Sequence, residues 1–549
     1  MSRLILLMIF AVWLVGAPGS MAYPAWGRLG LGVFLVGYAI LVAGVAIWSR
    51  RLARRIDSNQ VTWGSRRYNL VLTIVRTFIP IWLAAGLYSP LGWGDSVLSA
   101  LHPFRLLDFA GLDAPPLALP GLLVGTLPAI LAWMGLWWAQ YPADRALREQ
   151  SLLDQAERDL PIHPPPSFAH YFTANIRLQL FFMLLPVVLI LAVHDVALVG
   201  MRFAGLQVSA ASQFENWIML PAGGLVFLFA PELLRRVLKT EPLPPSPLRT
   251  RLEGISSRAG LKYRQILLWH TQYSMGNAAV MGLIPQMRYV LLSDLLLETA
   301  TDEQIEAVFA HETGHIVHHH MMWYAVFFGA LLLAAIGPGS YVDTWINAAL
   351  RHLPQYIHPD EIQLGISLAS VLLTIVVIFG YLSRRFERQA DVFAARMIES
   401  NWGMRESGAN AAGSGESTLA ALPQLAVGVA VAAPDPSSAV TAMASSLGPP
   451  PTGFENHKTG RFRGPSHVGP HGANAVASAL HRVASVNNIP ISARSWCHGS
   501  IARRMNYLRH LSSDPALTGR FDRLMSRLYV ILIAILLACG AIAMLAGVG

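Results

Sequence analysis

The chain has 549 residues, 54% hydrophobic and only 13% charged, against roughly 25% charged in soluble domains, and its mean hydropathy of +0.44 excludes an ordinary soluble enzyme. Its net charge of +9 sits on arginines that flank apolar runs, a topology signal rather than a nucleic-acid footprint. The two cysteines, Cys497 and Cys539, give no disulfide framework, because Cys539 lies inside an apolar run.

Runs of the length that crosses a bilayer, about 20 apolar residues, are expected at Leu29–Trp48, Leu70–Leu87, Leu117–Trp138, Leu178–Leu198, Trp217–Leu234, Met322–Ile336, Ile362–Leu382 and Leu528–Val548. A ninth run, Leu4–Val15, reads as a retained first helix. A signal peptide with small residues at Ser20-Met21-Ala22 is the alternative. Arg76 falls inside a span, which is costly; it faces a polar cavity or marks a shifted span boundary. Basic residues alternate across the spans. One side carries Arg50, Arg51, Arg54, Arg55, Arg145, Arg148, Arg235, Arg236, Arg384, Arg385, Arg520 and Arg523, whereas the other has Arg105, Arg202 and Arg351. The positive-inside rule makes the arginine-rich side cytoplasmic.

The expected organisation follows. Residues 1–238 form an N-terminal multi-span region and 239–321 the first half of a soluble domain. Residues 322–382 hold two spans with a short outer loop, and 383–400 a helix at the membrane surface. Residues 401–472 are a Gly/Ala/Pro-rich insertion, read as disordered. Residues 473–527 complete the soluble domain and 528–549 form a last membrane helix. The fold class is mainly α: about eight or nine membrane helices with a small α+β domain on the cytoplasmic face. Tyr263–Trp269, Ala278–Met281 and Tyr289–Ser293 read as its short strands.

Within that domain, His311-Glu312-Thr313-Gly314-His315 is an H-E-x-x-H motif. On a helix, positions four apart share a face, so both imidazoles reach one metal ion while Glu312 stands beside them as a general base. Thr301 and Gln304 fit a capping box, and Asp302 and Glu303 suit the positive end of the helix. A tetrahedral catalytic zinc takes a third protein ligand. His319 shares the face, but three ligands on one straight helix do not easily surround an ion. Glu387 fits better: it follows a returning span, and Asp391, one turn on, supports the site from outside the ligand set.

These residues resemble those of the integral-membrane gluzincins, the family of the type 1 CAAX prenyl protease and the bacterial heat-shock membrane protease. The resemblance covers roughly Arg251–Met322, Ile362–Ala395 and Ala473–Leu508. Asn277-Ala278-Ala279 and Arg288–Ser293 are similar to the strands before the family's active-site helix, and Ala307–His315 to the helix itself. His320 matches a further histidine, Glu387–Asp391 the E-x-x-A-D element, and His498 with Arg504 the H-P-x-x-x-x-R element. Gly499 stands where that element has proline, and the 401–472 insertion and the last helix are additions.

The resemblance implies one Zn2+ per chain held by His311, His315 and Glu387, with Glu312 as base and His498 stabilising the transition state. Asp391 and Arg504 support them. Asn277 and Ala278, at an expected sheet edge, would bind an extended peptide by main-chain pairing. The partners implied are a peptide or membrane-protein substrate and the lipid bilayer, in a bacterial plasma membrane, with a role in membrane-protein quality control or processing. Nucleic acid is not expected. Two other readings stand beside this one. An intramembrane protease of the site-2 type carries the same motif within a span. A transporter or channel with a metal-sensing domain would explain the many spans.

Overall fold

The computed structural model describes residues 27–56, 118–156, 163–203, 211–350, 373–416 and 465–546, apart from 488, together with scattered positions in 64–82 and 363–371. The expected helix Leu4–Val15 lies outside the described residues, and the expected spans Leu70–Leu87 and Ile362–Leu382 lie partly outside them.

The N-terminal region is a set of long apolar helices. α1 (Gly27–Ile56) packs along α2 (Ala118–Ala156). Phe34, Tyr38, Val45, Ala132, Trp133 and Leu136 fill the seam between them. On the outer face of α1, Val33, Val36, Ile40 and Ile47 are exposed, as expected where lipid, not water, is the solvent. α3 (Phe168–Asn175) runs through a π-helical turn, Ile176–Phe181, into α4 (Phe182–Phe203), which packs on α5 (Ala211–Val237). Arg76 lies within electrostatic reach of Tyr68 and Tyr171, the polar neighbourhood in which Tyr68 donates to Asp144 at 3.3 Å.

The sheet-bearing part of the chain begins at β1 (Thr240–Pro242) and α6 (Pro247–Arg258). β2 (Gln265–Trp269), β3 (Ala278–Met281) and β4 (Tyr289–Ser293) follow. The sheet order is β1-β2-β4-β3, with β2 and β4 parallel and the outer pairs antiparallel. All five residues of β4 are buried, as a central strand covered on both faces requires. β3 ends the sheet: it pairs with β4 alone among the described residues. α7 (Asp294–Thr299) leads into α8 (Asp302–Val317).

α8 starts with the expected capping box. Thr301 Oγ1 accepts from the Gln304 amide at 3.3 Å, and Gln304 Oε1 accepts from the Thr301 amide at 3.1 Å. After Val317 the chain turns by 45° through His319, which adopts a left-handed φ of 55°, into α9 (His320–Ile336) and then α10 (Pro338–Leu350). A π-helical turn, Ile375–Phe379, opens α11 (Gly380–Glu416). α12 (Pro470–Val486), α13 (Ile501–Ser513) and α14 (Pro515–Ala546) complete the chain. α11 and α12 pack on α8, and α14 lies along α9. The core joins Phe309 of α8, Phe386 and Phe393 of α11, Val476 of α12 and Leu508 of α13.

The structure differs from the sequence reading of the insertion at both of its ends. α11 continues to Glu416, beyond the expected boundary at 400. At the far end Val468 is fully buried, and the Gly472 amide donates to Glu399 at 2.6 Å. Composition marks a low-complexity segment, but it does not register long-range contacts such as the stacking of Trp402 on His471 at 4.7 Å or the bond from Gly472 to Glu399. Two described helices are long and apolar enough to cross a membrane, Gly32–Ile56 and Pro515–Leu545, and up to four if two bent pairs count as spans. The protein is thus mostly helical, with one small sheet and apolar helices of membrane-crossing length.

Candidate metal centre

Two helices present the chemistry. α8 carries His311 and His315 one turn apart, and α11 crosses it with Glu387. The crossing is close because residue 314 is glycine: a Cβ there would sit 3.1 Å from Ala390 Cα and 3.3 Å from its carbonyl oxygen. One ligand atom from each of His311, His315 and Glu387 lies within 4.8 Å of the others. The separations are 3.3 Å between the two Nε2 atoms, 3.7 Å from His311 Nε2 to Glu387 Oε2 and 3.8 Å from His315 Nε2 to Glu387 Oε1. Donors around a tetrahedral zinc with bonds of ~2.0–2.1 Å are roughly 3.3–3.5 Å apart. Two imidazoles and one carboxylate with these spacings fit that ion. His319, the rival third ligand, is exposed at the turn between α8 and α9 and lies outside the cluster.

The surrounding residues hold the donors in place. His311 turns its Nδ1 to Asp391 Oδ1 at 3.0 Å, which leaves Nε2 facing the cluster. Arg504, buried on α13, donates from Nε and Nη2 to both Asp391 oxygens at 2.8 and 2.6 Å, and its Nη1 lies 2.9 Å from Glu387 Oε2. One guanidinium therefore faces two buried carboxylates, the bidentate geometry that arginine favours. Burial pushes the Glu387 carboxyl up. The Arg504 charge, then His498 and His311, outweigh this and hold it well below the usual carboxylate range. Asp391 is lowered in the same way: burial opposes, and Arg504 and His311 prevail.

Glu312 is different. Its carboxyl has no hydrogen-bonding partner among the described residues, and burial pushes it up to about 7, with His311 pulling it down. A carboxyl with such a value is poised to exchange a proton near neutral pH.

His498 reaches the same place from the loop before α13. Its Nδ1 lies 2.8 Å from Glu387 Oε1 while its side chain stays 62% exposed, so it sits at the mouth of the site. The contact with Glu387 raises its basicity. The loop is pinched by Ser495 and Gly499, each donating its amide to the other's carbonyl at 3.0 Å. Gly499 has φ +75°, which proline cannot adopt. The glycine found where the resemblance called for proline is the residue this turn needs. Cys497, half-buried beside it, has its thiol pushed up by burial, the opposite of an activated nucleophile.

Ala278 begins β3, the edge strand that packs on α8, and Asn277 immediately precedes it. Asn277 is exposed and Ala278 buried. The Asn277 amide donates to Ser293 Oγ at 2.8 Å and its carbonyl accepts from the Ser293 amide at 3.0 Å. Sequence reasoning placed no role on Gln389 or Tyr529, yet both join a chain of contacts to His315. His320 Nδ1 is 2.8 Å from His315 Nδ1, His320 Nε2 is 3.0 Å from Gln389 Oε1, and Tyr529 donates to that same oxygen at 2.5 Å. His320 lies five residues past His315 and was visible only as a family match.

An H-E-x-x-H helix crossed by a glutamate-bearing helix defines a metallopeptidase-type centre. The sequence model of peptidase family M48 matches residues 242–524, more than half of the chain, and the protein belongs to that family. A CAAX prenyl protease 1 homolog of Arabidopsis thaliana is 31% identical over 165 residues, 29% of this chain and 38% of the relative. Protease HtpX of Pseudomonas fluorescens is 26% identical over 196 residues, 33% of this chain and 63% of the relative. Each match thus spans less than two thirds of the relative's own length. The crystal structure of S. mikatae Ste24p superposes with a TM-score of 0.36 at 16% identity, covering 65% of this chain and 87% of that one.

Proposed function

We propose that this chain is a membrane-embedded zinc endopeptidase, with His311, His315 and Glu387 holding one ion and Glu312 as general base. The observation that carries the reading is the convergence of those three donors beside a buried glutamate with no hydrogen-bonding partner among the described residues. When bound, zinc supplies Lewis-acid polarisation of water and of the scissile carbonyl. Glu312 takes the proton from water on its carboxylate and returns it to the leaving amine. His498, tied to Glu387 through Nδ1, offers its other nitrogen to the oxygen that gains charge. The free edge of β3 aligns an extended peptide by main-chain pairing.

Prenylated C-terminal peptides, in line with the name of the CAAX prenyl protease relatives, and membrane proteins are the substrate classes proposed. Membrane-protein quality control or processing in a bacterial plasma membrane is the role proposed, with eight or nine spans and the site on the cytoplasmic side. The intramembrane alternative places α8 in lipid. Against it, α8 opens on Asp302 and Glu303, its buried Glu306 lies 2.9 Å from Arg251 Nε, and it packs on β3, α6, α11 and α12. Those contacts support a reading in which α8 lies outside the bilayer and the apolar span begins near Met322.

The test is zinc content of the purified protein beside casein or peptide cleavage in detergent. Wild type should carry about one zinc and cleave, Glu387→Ala should lose both, and His319→Ala should keep its zinc. Zinc retained in Glu387→Ala and lost in His319→Ala would overturn the ligand assignment.

A further inference from the structure

We infer that the C-terminal membrane helix, through Tyr529, is part of the metal centre: a chain Tyr529–Gln389–His320–His315 fixes which nitrogen of His315 is free to bind metal. This rests on the metal-site reading above.

The proton positions follow from the contacts. Gln389 Oε1 receives Tyr529 Oη at 2.5 Å and faces His320 Nε2 at 3.0 Å. A carbonyl oxygen only accepts, so His320 carries its proton on Nε2. A neutral imidazole has one N–H, and His320 is buried with its ring stacked on Phe386 at 4.3 Å, a poor place for a cation. Its Nδ1 is therefore an acceptor. The donor to it, 2.8 Å away, is His315 Nδ1. The proton of His315 is thus held on Nδ1, and Nε2, the atom that faces Glu387 and His311, keeps its lone pair.

Turning the Gln389 amide over reverses every step. Its NH2 would donate to His320 Nε2, His320 Nδ1–H would donate to His315, and the His315 proton would move to Nε2, where it blocks metal binding. Tyr529 opposes that turn, because its O–H would then face an NH2 donor and has no other acceptor among the described residues. Tyr529 is itself held by stacking on Trp323 at 4.2 Å. The two histidine ligands are thus set by different means. His311 has the Asp391 carboxylate at 3.0 Å, whereas His315 has a neutral chain ending on α14. That gives a function to a helix the family resemblance left over.

The test is zinc affinity of the full-length protein in detergent, by chelator competition, with the visible spectrum of the cobalt-substituted protein as a second readout. Gln389→Met keeps the volume and removes the acceptor; Gln389→Glu keeps an acceptor for both donors. Gln389→Met should weaken zinc about 10–100-fold and shift the cobalt bands, while Gln389→Glu holds affinity within about threefold. Tyr529→Phe, which keeps the stack on Trp323, should weaken zinc several-fold in wild type and have no further effect in Gln389→Met. If packing were the whole role the order would invert, with Met tolerated and a buried Glu disruptive, and that result overturns the inference. If Gln389→Met and Tyr529→Phe bind zinc like wild type while Glu387→Ala does not, this inference fails and the metal site stands. Wild type without stoichiometric zinc would remove both.

Discussion

Glu312 and Arg504 occupy opposite electrostatic situations within one site. Glu312 has no hydrogen-bonding partner among the described residues, and its proposed work is proton transfer, so Glu312→Gln should keep zinc and fold. Its single-turnover peptide cleavage should fall by a factor on the order of 10²–10⁴. Turnover near wild type in that variant would sink the peptidase mechanism, whereas lost zinc would show Glu312 to be part of the ligand framework. Arg504 faces two buried carboxylates, and taking away one partner of a buried pair leaves uncompensated charge. Arg504→Met should destabilise the metal-free protein by about 3–5 kcal/mol, seen as a large fall in its thermal midpoint in detergent. A midpoint within a degree or two of wild type would mean that water already solvates Asp391.

The crossing of α8 and α11 is the element-scale device that makes the site, and Gly314 sets how near the helices come. Ala390 offers backbone, not a movable side chain, at 3.1–3.3 Å from the Cβ that Gly314→Ala would add. The variant should therefore cost about 1–3 kcal/mol and weaken zinc binding, although it touches no ligand. Unchanged zinc affinity would show that the helices can part without moving Glu387. Much of this element was legible beforehand. The capping box, the four-residue histidine spacing and the Glu387–Asp391 turn are local patterns, and local patterns are what helix geometry writes into sequence. What stayed hidden is non-local. His320 meets Gln389 across 69 positions, and Gln389 meets Tyr529 across 140. β1 is a three-residue strand ending in proline, which leaves no periodicity to read. The extension of α11 to Glu416 was masked by a composition rich in Gly, Ala and Ser.

At the scale of the whole molecule, the candidate metal centre and the apolar C-terminal helix are joined by direct contacts. α14 runs along α9, packs on α13 and places Tyr529 against Gln389. The proposed topology follows from where arginines lie. Arg520, Arg523 and Arg527 precede the apolar part of α14, and Arg384, Arg385 and Arg388 sit at the start of α11, so the ends of both helices nearest the candidate site are basic. In the proposed topology the positive-inside rule makes that side cytoplasmic and puts α10, after a crossing by α9, outside. In a background with Cys497→Ser and Cys539→Ser, two exposed positions separate the sides: Asn506 on α13 and Thr344 on α10. In intact cells a membrane-impermeant maleimide should label Thr344→Cys and leave Asn506→Cys untouched until the membrane is opened. The reverse pattern would invert the protein and put the proposed peptidase site outside the cell. Labelling of both from outside would mean that α9 does not cross, so that the 45° turn at His319 lays it along the bilayer surface instead.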